Sequence, residues 1–246
     1  MGRLVILSGP SCVGKGPLLA ALKKFYPETA GRLKRFVLYD SRAPRPGEVE
    51  GVDYHFRRRE DIEALRGRAG FDVFEVRNDL QAMDTNRLAE MLGASDVLFE
   101  GNPFIGTRLL DFVRDHHVES LSVFLSPLSA EEITELNAHE PGVDLPAFVT
   151  EVMRRKLLRR TQKQKGLLSR ADLDNIEIRA SSAYGEMQQG WRFDYIIVNH
   201  DGEDSDHWDA FYYPIGDARR TLRTFSGLLS GEPTDGVEPW DENLLP

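Results

Sequence analysis

Apolar residues along this chain follow two alternating patterns, short continuous runs and longer stretches with helical spacing. The runs have the length of buried strands and cover residues 4–7, 97–99, 121–125 and 195–198. One helical stripe follows the first run and another lies near the end of the chain; they consist of Leu18, Leu19, Leu22 and Phe25, and of Ile215, Ala218, Leu222, Phe225 and Leu229. Strands that alternate with helices predict an α/β fold of three layers with a mainly parallel core sheet.

The first apolar run ends in a glycine-rich loop. Gly9 is separated by four residues from Gly14-Lys15, which is the spacing of the phosphate-binding P-loop between a strand and a helix. Curled backbone N–H groups, the helix N-terminus and the lysine ammonium all attract phosphate there. A glycine-rich turn with a stray lysine is the alternative, and the strand and helix around the loop argue against it. The pattern predicts a nucleoside triphosphate site on Gly9, Ser11, Cys12, Val13, Gly14, Lys15 and Gly16.

One position of this loop departs from the P-loop pattern. Gly16 stands where a Ser or Thr hydroxyl normally ligates magnesium, and Pro17 after it has no N–H to donate. Proline is tolerated in the first helical turn, where its N–H would have no partner within the helix. We expect Mg²⁺ to be held mostly by phosphates and water, which this ion accepts readily. Phosphate binding is therefore expected to survive the change.

A stiff loop carries a second candidate phosphate site. Residues 41–48 contain two prolines and a glycine, which enforce an irregular backbone, and Arg42 and Arg45 flank Pro44. Two guanidinium groups on a rigid loop suit bidentate capture of a phosphate or carboxylate. Two solvated arginines are the alternative. Tyr54 offers a hydroxyl near the same loop.

The two loops together resemble the guanylate kinase family, over roughly residues 3–229. The second signature keeps its full spacing and is far more specific than the P-loop; it reads Ser41-Arg42-x-Pro44-Arg45-Pro46-Gly47-Glu48-x-x-Gly51-x-Asp53-Tyr54-x-Phe56. The resemblance implies a nucleoside monophosphate kinase that uses ATP and Mg²⁺ and converts GMP to GDP.

The same resemblance assigns roles to individual residues. Arg42, Arg45 and Tyr54 would grip the phosphate of GMP, and Glu75 would read the guanine edge. Asn102 replaces a family acid that helps to bind the base, and Leu38 and residues 78–84 replace further base-recognition elements. By resemblance, Asn199 lies near the adenine of ATP.

A carboxylate ends the apolar run near residue 98. In P-loop proteins such a strand lies beside the phosphate loop, and its acid orients magnesium or the waters around it. Glu100 fills that position and is the candidate metal residue, expected to hold the ion through water, as well as a candidate substrate-binding residue. A surface acid at a strand end is the alternative.

A basic block extends from Arg154 to Arg170, with eight Lys or Arg residues and no acid. A solvated helix face is the simple interpretation of such a block. The start of the block also resembles the arginine-rich lid of the family, and phosphoryl transfer needs positive charge over the transferred group while water is excluded. The register leaves Arg155, Arg159 and Arg160 as candidates. We assign the catalytic role to Lys15, Arg155, Arg159 and Arg179.

The net charge of −9 over 246 residues is unevenly distributed. Residues 200–246 carry 11 acids and three bases, so the rest of the chain is almost neutral. This balance argues against general nucleic-acid binding. The absence of a long apolar run argues against a membrane span, and the single cysteine, Cys12, fits a reducing cytoplasm. We expect a cytoplasmic protein, either a monomer or a homodimer, with nucleotides as its partners.

The expected organisation is one kinase-like domain, residues 1–229, with an acidic, disordered or surface-draped tail at 230–246. Its parts are a core at 1–35, 93–149 and 181–229, an acceptor-binding subdomain at 36–92, and a lid at 150–180. Two alternatives stay open. A kinase of this fold could act on another nucleotide or a phosphorylated sugar, or the chain could be a non-catalytic binding module.

Overall fold

The computed structural model describes residues 2–45, 47–138 and 142–245; Pro46 of the acceptor-loop signature lies outside them. The strands are β1 (Leu4–Ser8), β2 (Leu33–Arg35), β3 (Tyr39–Asp40), β4 (His55–Phe56), β5 (Phe71–Val76), β6 (Asp79–Asp84), β7 (Asp96–Gly101), β8 (Ser120–Ser126) and β9 (Tyr195–Val198). The helices are α1 (Lys15–Phe25), α2 (Pro27–Arg32), α3 (Arg59–Glu63), α4 (Thr85–Ala94), α5 (Pro103–His116), α6 (Ala130–Ala138), α7 (Leu145–Lys165), α8 (Arg170–Ser181), α9 (Ala183–Met187) and α10 (Gly216–Ser230).

The core is a parallel sheet with helices on both faces. Its strand order is β2-β7-β1-β8-β9, and every neighbouring pair in it is parallel. All five residues of β1 are buried, because the strand lies in the middle of the sheet and is covered on both sides. Helices α1 and α10 pack on one face, and α4, α5, α7 and α9 contribute to the core on the other. The predicted three-layer fold is confirmed.

A smaller sheet of order β4-β3-β6-β5 lies within the segment predicted to bind the acceptor. Strands β5 and β6 form an antiparallel hairpin, and β3 pairs with β6. Ile62, Leu80 and Ala82 form a small apolar core of their own under this sheet. Strands β3 and β4 are only two residues long each, and the chain between them is mostly loop.

Two helices, α7 and α8, form an antiparallel pair over the carboxyl ends of the central strands. Gly166 ends α7 with a φ of +74°, and Ser169 begins α8 with a capping box closed by Asp172. Across the pair, Arg154 donates two hydrogen bonds of 2.7 Å to the carboxylate of Glu177. This pair occupies the predicted lid. No helix in the described ranges has both the length and the apolar character to cross a membrane.

The C-terminal segment differs from the expectation of a disordered tail. Glu238 exchanges two backbone hydrogen bonds with Ile196 of β9, at 3.0 and 3.1 Å. Trp240 and Leu245 are buried, and the Trp240 ring lies 5.8 Å from the ring of Phe124, between centroids. The acidic, proline-containing composition of the tail gave no sign of these anchoring residues, Glu238, Trp240 and Leu245. The tail up to residue 245 packs on the protein surface, which was the alternative expectation.

Candidate active site

A cleft of about 590 Å³ opens at the carboxyl ends of the central strands. Segments that are far apart in sequence line it, among them the P-loop, the loop that carries Arg42 and Arg45, and the facing surfaces of α7 and α8. This is the place where parallel α/β sheets usually bind ligands, because loops from neighbouring strands diverge there.

The P-loop runs from β1 into α1 and depends on its glycines. Gly9 and Gly14 have φ values of +144° and +107°, and a Cβ on Gly9 would lie 2.4 Å from the carbonyl oxygen of Leu125. The Lys15 side chain curls back into the loop, and Nζ donates to the carbonyl oxygens of Gly9 (2.7 Å) and Pro10 (2.8 Å). Burial lowers the pKa of Lys15, and nearby carboxylates, with Glu100 the strongest, oppose that shift.

Cys12 lies inside this loop but is not prepared to react. Burial raises the pKa of its thiol to about 12, and the carboxylate of Glu203 adds to the shift. The nucleophile and metal ligand is the thiolate, which is scarce at neutral pH when the pKa is this high. Cys12 is therefore a small side chain that fills a loop position.

Two lid arginines face the P-loop. Arg179 on α8 is buried and donates from Nε to Oγ of Ser11 at 3.1 Å. Arg160 on α7 is nearly buried and also lines the cleft. Burial lowers the pKa of Arg179 well below its usual value, and Arg160 and Arg45 add to this shift by charge repulsion. So much clustered positive charge is suited to an anionic ligand.

The structure does not bring Arg155 and Arg159 to the cleft. Arg155 is 57% exposed and lies near Glu151, and Arg159 is 72% exposed and lies near Asp204. Successive helical residues turn by about 100°, so Arg160 faces inward while its neighbour Arg159 faces water. Arg160, the remaining candidate of the same run, lines the cleft where the prediction had placed Arg155 and Arg159.

The stiff loop holds its arginines as its composition predicts. Both terminal nitrogens of Arg42 donate to the carboxylate of Glu48, at 2.6 and 2.7 Å, and the backbone N–H of Arg45 donates to it as well. The guanidinium of Arg42 also lies 4.9 Å from the ring centroid of Tyr54. Arg42, Arg45 and Tyr54 all line the cleft, opposite the P-loop.

Glu75, the residue expected to read the base of the acceptor, is replaced in the cleft by other side chains. Glu75 does not line the cleft; its side chain is 68% exposed and pairs with Arg59 at 3.2 Å, because it lies on the outer face of the β5–β6 hairpin. Gln81 of β6 lines the cleft instead and donates to buried Asp40 at 2.7 Å. Glu75 is therefore corrected to a surface residue of the subdomain.

Asn102 belongs to a buried polar cluster beside that end. Its amide donates to Oε1 of Glu186 at 2.9 Å, and its own Oδ1 caps the first turn of α5. Arg77, from the turn of the β5–β6 hairpin, donates to the same Glu186 oxygen at 2.5 and 3.2 Å. Arg77 and Asn102 both line the cleft, and the fully buried Glu186 holds them in place.

Glu100 ends β7 next to the P-loop, as its strand predicts. It lines the cleft, accepts from Arg35 at 3.2 Å, and is mostly buried. Burial raises the pKa of Glu100, while Lys15 and Arg35 lower it. Arg35, which also lines the cleft, carried no sequence signal beyond its place at the end of a short strand.

A second carboxylate, Glu203, reaches the cleft from the loop after β9. Its Oε2 accepts from Arg160 at 2.8 Å. Burial raises the pKa of Glu203, but Arg160 and Lys15 outweigh it, so the net pKa is below the usual value. Asn199 lies behind the P-loop, fully buried, and its amide donates to the carbonyl oxygens of Val13 and Asp201, both at 2.7 Å.

A P-loop that faces two anchored arginines, with further arginines on a helical lid between them, defines a P-loop phosphotransferase. The guanylate kinase family model matches residues 1–71. The chain is 31% identical to the guanylate kinase of Synechococcus sp. (strain JA-3-3Ab) over 216 residues, 87% of this chain and 83% of that protein. It therefore belongs to the guanylate kinase family.

Further comparisons agree. The chain is 30% identical to the guanylate kinase of Idiomarina loihiensis over 83% of this chain and 82% of that protein. The crystal structure of guanylate kinase from Anaplasma phagocytophilum superposes with a TM-score of 0.54, covering 94% of this chain and 85% of that one at 20% sequence identity. At that identity, the superposition supports the fold alone.

Proposed function

We propose that this protein transfers the γ-phosphoryl group of ATP to a nucleoside monophosphate, with GMP as the acceptor. The observation that carries the proposal is that Lys15, Arg42 and Arg45 all line one cleft. The P-loop would hold the triphosphate, and the two arginines with Tyr54 would hold the acceptor phosphate.

Magnesium fits the residues at this place. Glu100 puts a carboxylate beside the P-loop lysine, and oxygen ligands of this kind suit a hard divalent cation. When bound with ATP, Mg²⁺ would supply positive charge that stabilises the negative charge developing during transfer. Glu100 would hold the ion through water.

The protein's own part in the reaction is positioning and charge. Lys15 would exchange its hydrogen bonds to Gly9 and Pro10 for bonds to the outer phosphates of ATP. Arg160 and Arg179, on opposite helices of the lid, would contact the transferred group and exclude water from it. Reactants held in line in this way need no covalent intermediate on the protein.

A second candidate keeps the reaction and changes the acceptor. Glu75 points to solvent, and the base end of the cleft presents Gln81, Arg77 and Asn102 instead. The amide nitrogens of Gln81 and Asn102 already donate to Asp40 and Glu186. This end therefore lacks the Glu75 carboxylate that the resemblance implies for guanine, which favours an acceptor that needs no hydrogen bond to a carboxylate at that position. Another nucleotide or a phosphorylated sugar would meet this condition.

The test is coupled ADP release from MgATP with a panel of acceptors that includes GMP, AMP, UMP and ribose phosphates. We expect turnover with GMP, and we expect Lys15→Ala to lower kcat at least about 100-fold, since removal of a positioned charge at the transferred group costs that much or more. Lys23→Ala, on the same helix but exposed, is the matched control.

Each result of this panel decides between the candidates. Turnover with another acceptor and none with GMP would replace GMP by that acceptor. No turnover with any acceptor, from a folded protein, would contradict a kinase function and favour a binding module. The cytoplasmic location and the choice between monomer and homodimer stay predictions.

A further inference from the structure

The P-loop lacks a side-chain oxygen at the position where one normally meets magnesium. Gly16 has no side chain at that position, and the following residue, Pro17, has no hydroxyl. Ser11, the hydroxyl residue of the loop, accepts a hydrogen bond from Arg179 instead. The loop can therefore offer backbone N–H groups and Lys15 to phosphate, but no hydroxyl to the cation at its usual place.

A carboxylate from another part of the chain lies beside this position. If Gly16 carried a Cβ, the one neighbouring heavy atom within 4 Å of it among the described residues would be Oε1 of Glu203, at 4.0 Å. The other oxygen of Glu203 accepts from Arg160, which leaves Oε1 directed at the phosphate loop. Glu203 and Glu100 both line the cleft, and the charges of both raise the pKa of Lys15 against the effect of burial.

The loop that carries Glu203 is fixed to the P-loop by its backbone. The N–H of Glu203 donates to the carbonyl oxygen of Cys12 at 3.2 Å. A Cβ on Gly202 would lie 2.3 Å from that same oxygen, so only glycine permits this approach. The indole of Trp208 donates to the carbonyl oxygens of Asp201 and Gly202, at 2.9 and 3.0 Å. Glu203 is held in position before any ligand binds.

We propose that Glu203 is a ligand of the Mg²⁺ that accompanies ATP and replaces the missing P-loop hydroxyl, either directly or through a bound water. This proposal rests on the proposed function, since it requires ATP on the P-loop. It assigns a metal-binding role to a residue outside the P-loop, on the acidic loop of residues 201–213, and so explains why that loop packs against the phosphate site.

The charge of Glu203 makes the proposal testable. A carboxylate beside the phosphates repels ATP when no cation lies between them, and attracts the MgATP complex when one does. Glu203 should therefore weaken binding of metal-free ATP and strengthen binding of MgATP. A residue that acted only by holding Arg160 would affect both forms of ATP in the same direction.

The experiment is isothermal titration calorimetry of the full chain with ATP, once in excess EDTA and once in millimolar MgCl₂. For Glu203→Gln, which keeps the size and the acceptor for Arg160, we expect the Kd of MgATP to rise about 10-fold. The Kd of metal-free ATP should stay the same or fall. Electron paramagnetic resonance of Mn²⁺ with ATP should show a correspondingly weaker metal site.

Asp206→Asn is the matched control, because Asp206 lies on the same loop, is 75% exposed and does not line the cleft. It should bind both forms of ATP as the native protein does. Equal weakening of both forms by Glu203→Gln, or no change in either, would overturn the metal-ligand role while leaving the kinase function intact. Failure of the native protein to bind ATP at all would overturn both proposals.

Discussion

Arg42 illustrates how neighbouring side chains can fix the orientation of a group that binds a ligand. Its two terminal nitrogens are held by Glu48 and its face lies against Tyr54, so the guanidinium has one orientation. Burial lowers the pKa of Arg42, but the carboxylates of Glu48 and Asp40 raise it by more, so the net shift of the pKa is upward. An arginine fixed in this way loses little side-chain entropy when it binds a phosphate.

The consequence is a selective loss of acceptor binding in Arg42→Ala. Hydrogen bonds to a charged group contribute about 1.5–3 kcal/mol, so we expect the KM for the acceptor to rise about 10- to 100-fold. The KM for ATP should change little, because Arg42 lies on the opposite side of the cleft. Steady-state kinetics with each substrate varied in turn measure this.

Arg58→Ala is the control for that prediction, since Arg58 is 79% exposed and pairs only with Asp61 among its described contacts. It should behave as the native enzyme. An equal rise of KM for ATP and acceptor in Arg42→Ala would contradict the assignment of Arg42 to the acceptor side.

Residues whose chemistry is set by their immediate neighbours in sequence could be predicted. Gly9 and Lys15 belong to one continuous loop, and Arg42 and Arg45 flank Pro44 on another, so spacing alone placed them. Arg160 could not be separated from Arg159, because the direction of a helix face depends on what packs against it. The sequence did not point to Glu203 as a site residue, because Glu203 approaches Gly16 from a segment nearly 190 positions away.

At the scale of elements, the β5–β6 hairpin connects the acceptor subdomain to the core. Its turn places Arg77 in the left-handed region, with a φ of +57°, and the side chain reaches Glu186 on α9. Glu186 is fully buried and depends on Arg77, Asn102 and Ser182 for its hydrogen bonds. The sequence could not reveal this anchor, because Glu186 is 109 positions from Arg77.

Breaking this anchor should destabilise the protein strongly. Arg77→Ala leaves a buried carboxylate without its charged partner, which typically costs about 3–5 kcal/mol. Arg59→Ala removes the exposed Arg59–Glu75 pair on the same hairpin and should cost less than about 1 kcal/mol. Urea unfolding of both variants gives the two free energies. Similar values for both would show that the Arg77–Glu186 contact is not maintained in solution.

The whole molecule is two sheets around one cleft, with the chain's last segment packed against the β9 edge of the larger sheet. The side chains that hold this segment are Trp240 and Leu245, which are buried, and Glu238, whose Oε1 accepts from the Trp240 indole and the N–H of Ala130. The tail is thus part of the folded unit, and composition alone could not reveal it, because three well-placed residues outweigh many solvated ones.

Trp240→Ala tests whether the tail contributes to global stability. Removal of a buried tryptophan typically costs about 3–5 kcal/mol, and we expect a loss near the lower end because one side of the tail faces water. Trp191→Ala is the matched variant, since Trp191 is 39% exposed; it should cost less than about 1 kcal/mol. Thermal and urea unfolding would contradict the packed tail if the two tryptophan variants lost the same small amount.

The pairing of Glu238 with Ile196 also determines how copies of this chain can meet. Strand β9 is the last strand of the central sheet, and an open edge of this kind is a template for a strand from another molecule. The chain's own tail occupies the hydrogen-bonding groups of Ile196 and covers the edge at its middle. Sheet-to-sheet extension through β9, and the aggregation that such extension nucleates, would first require this molecule to release its own terminus.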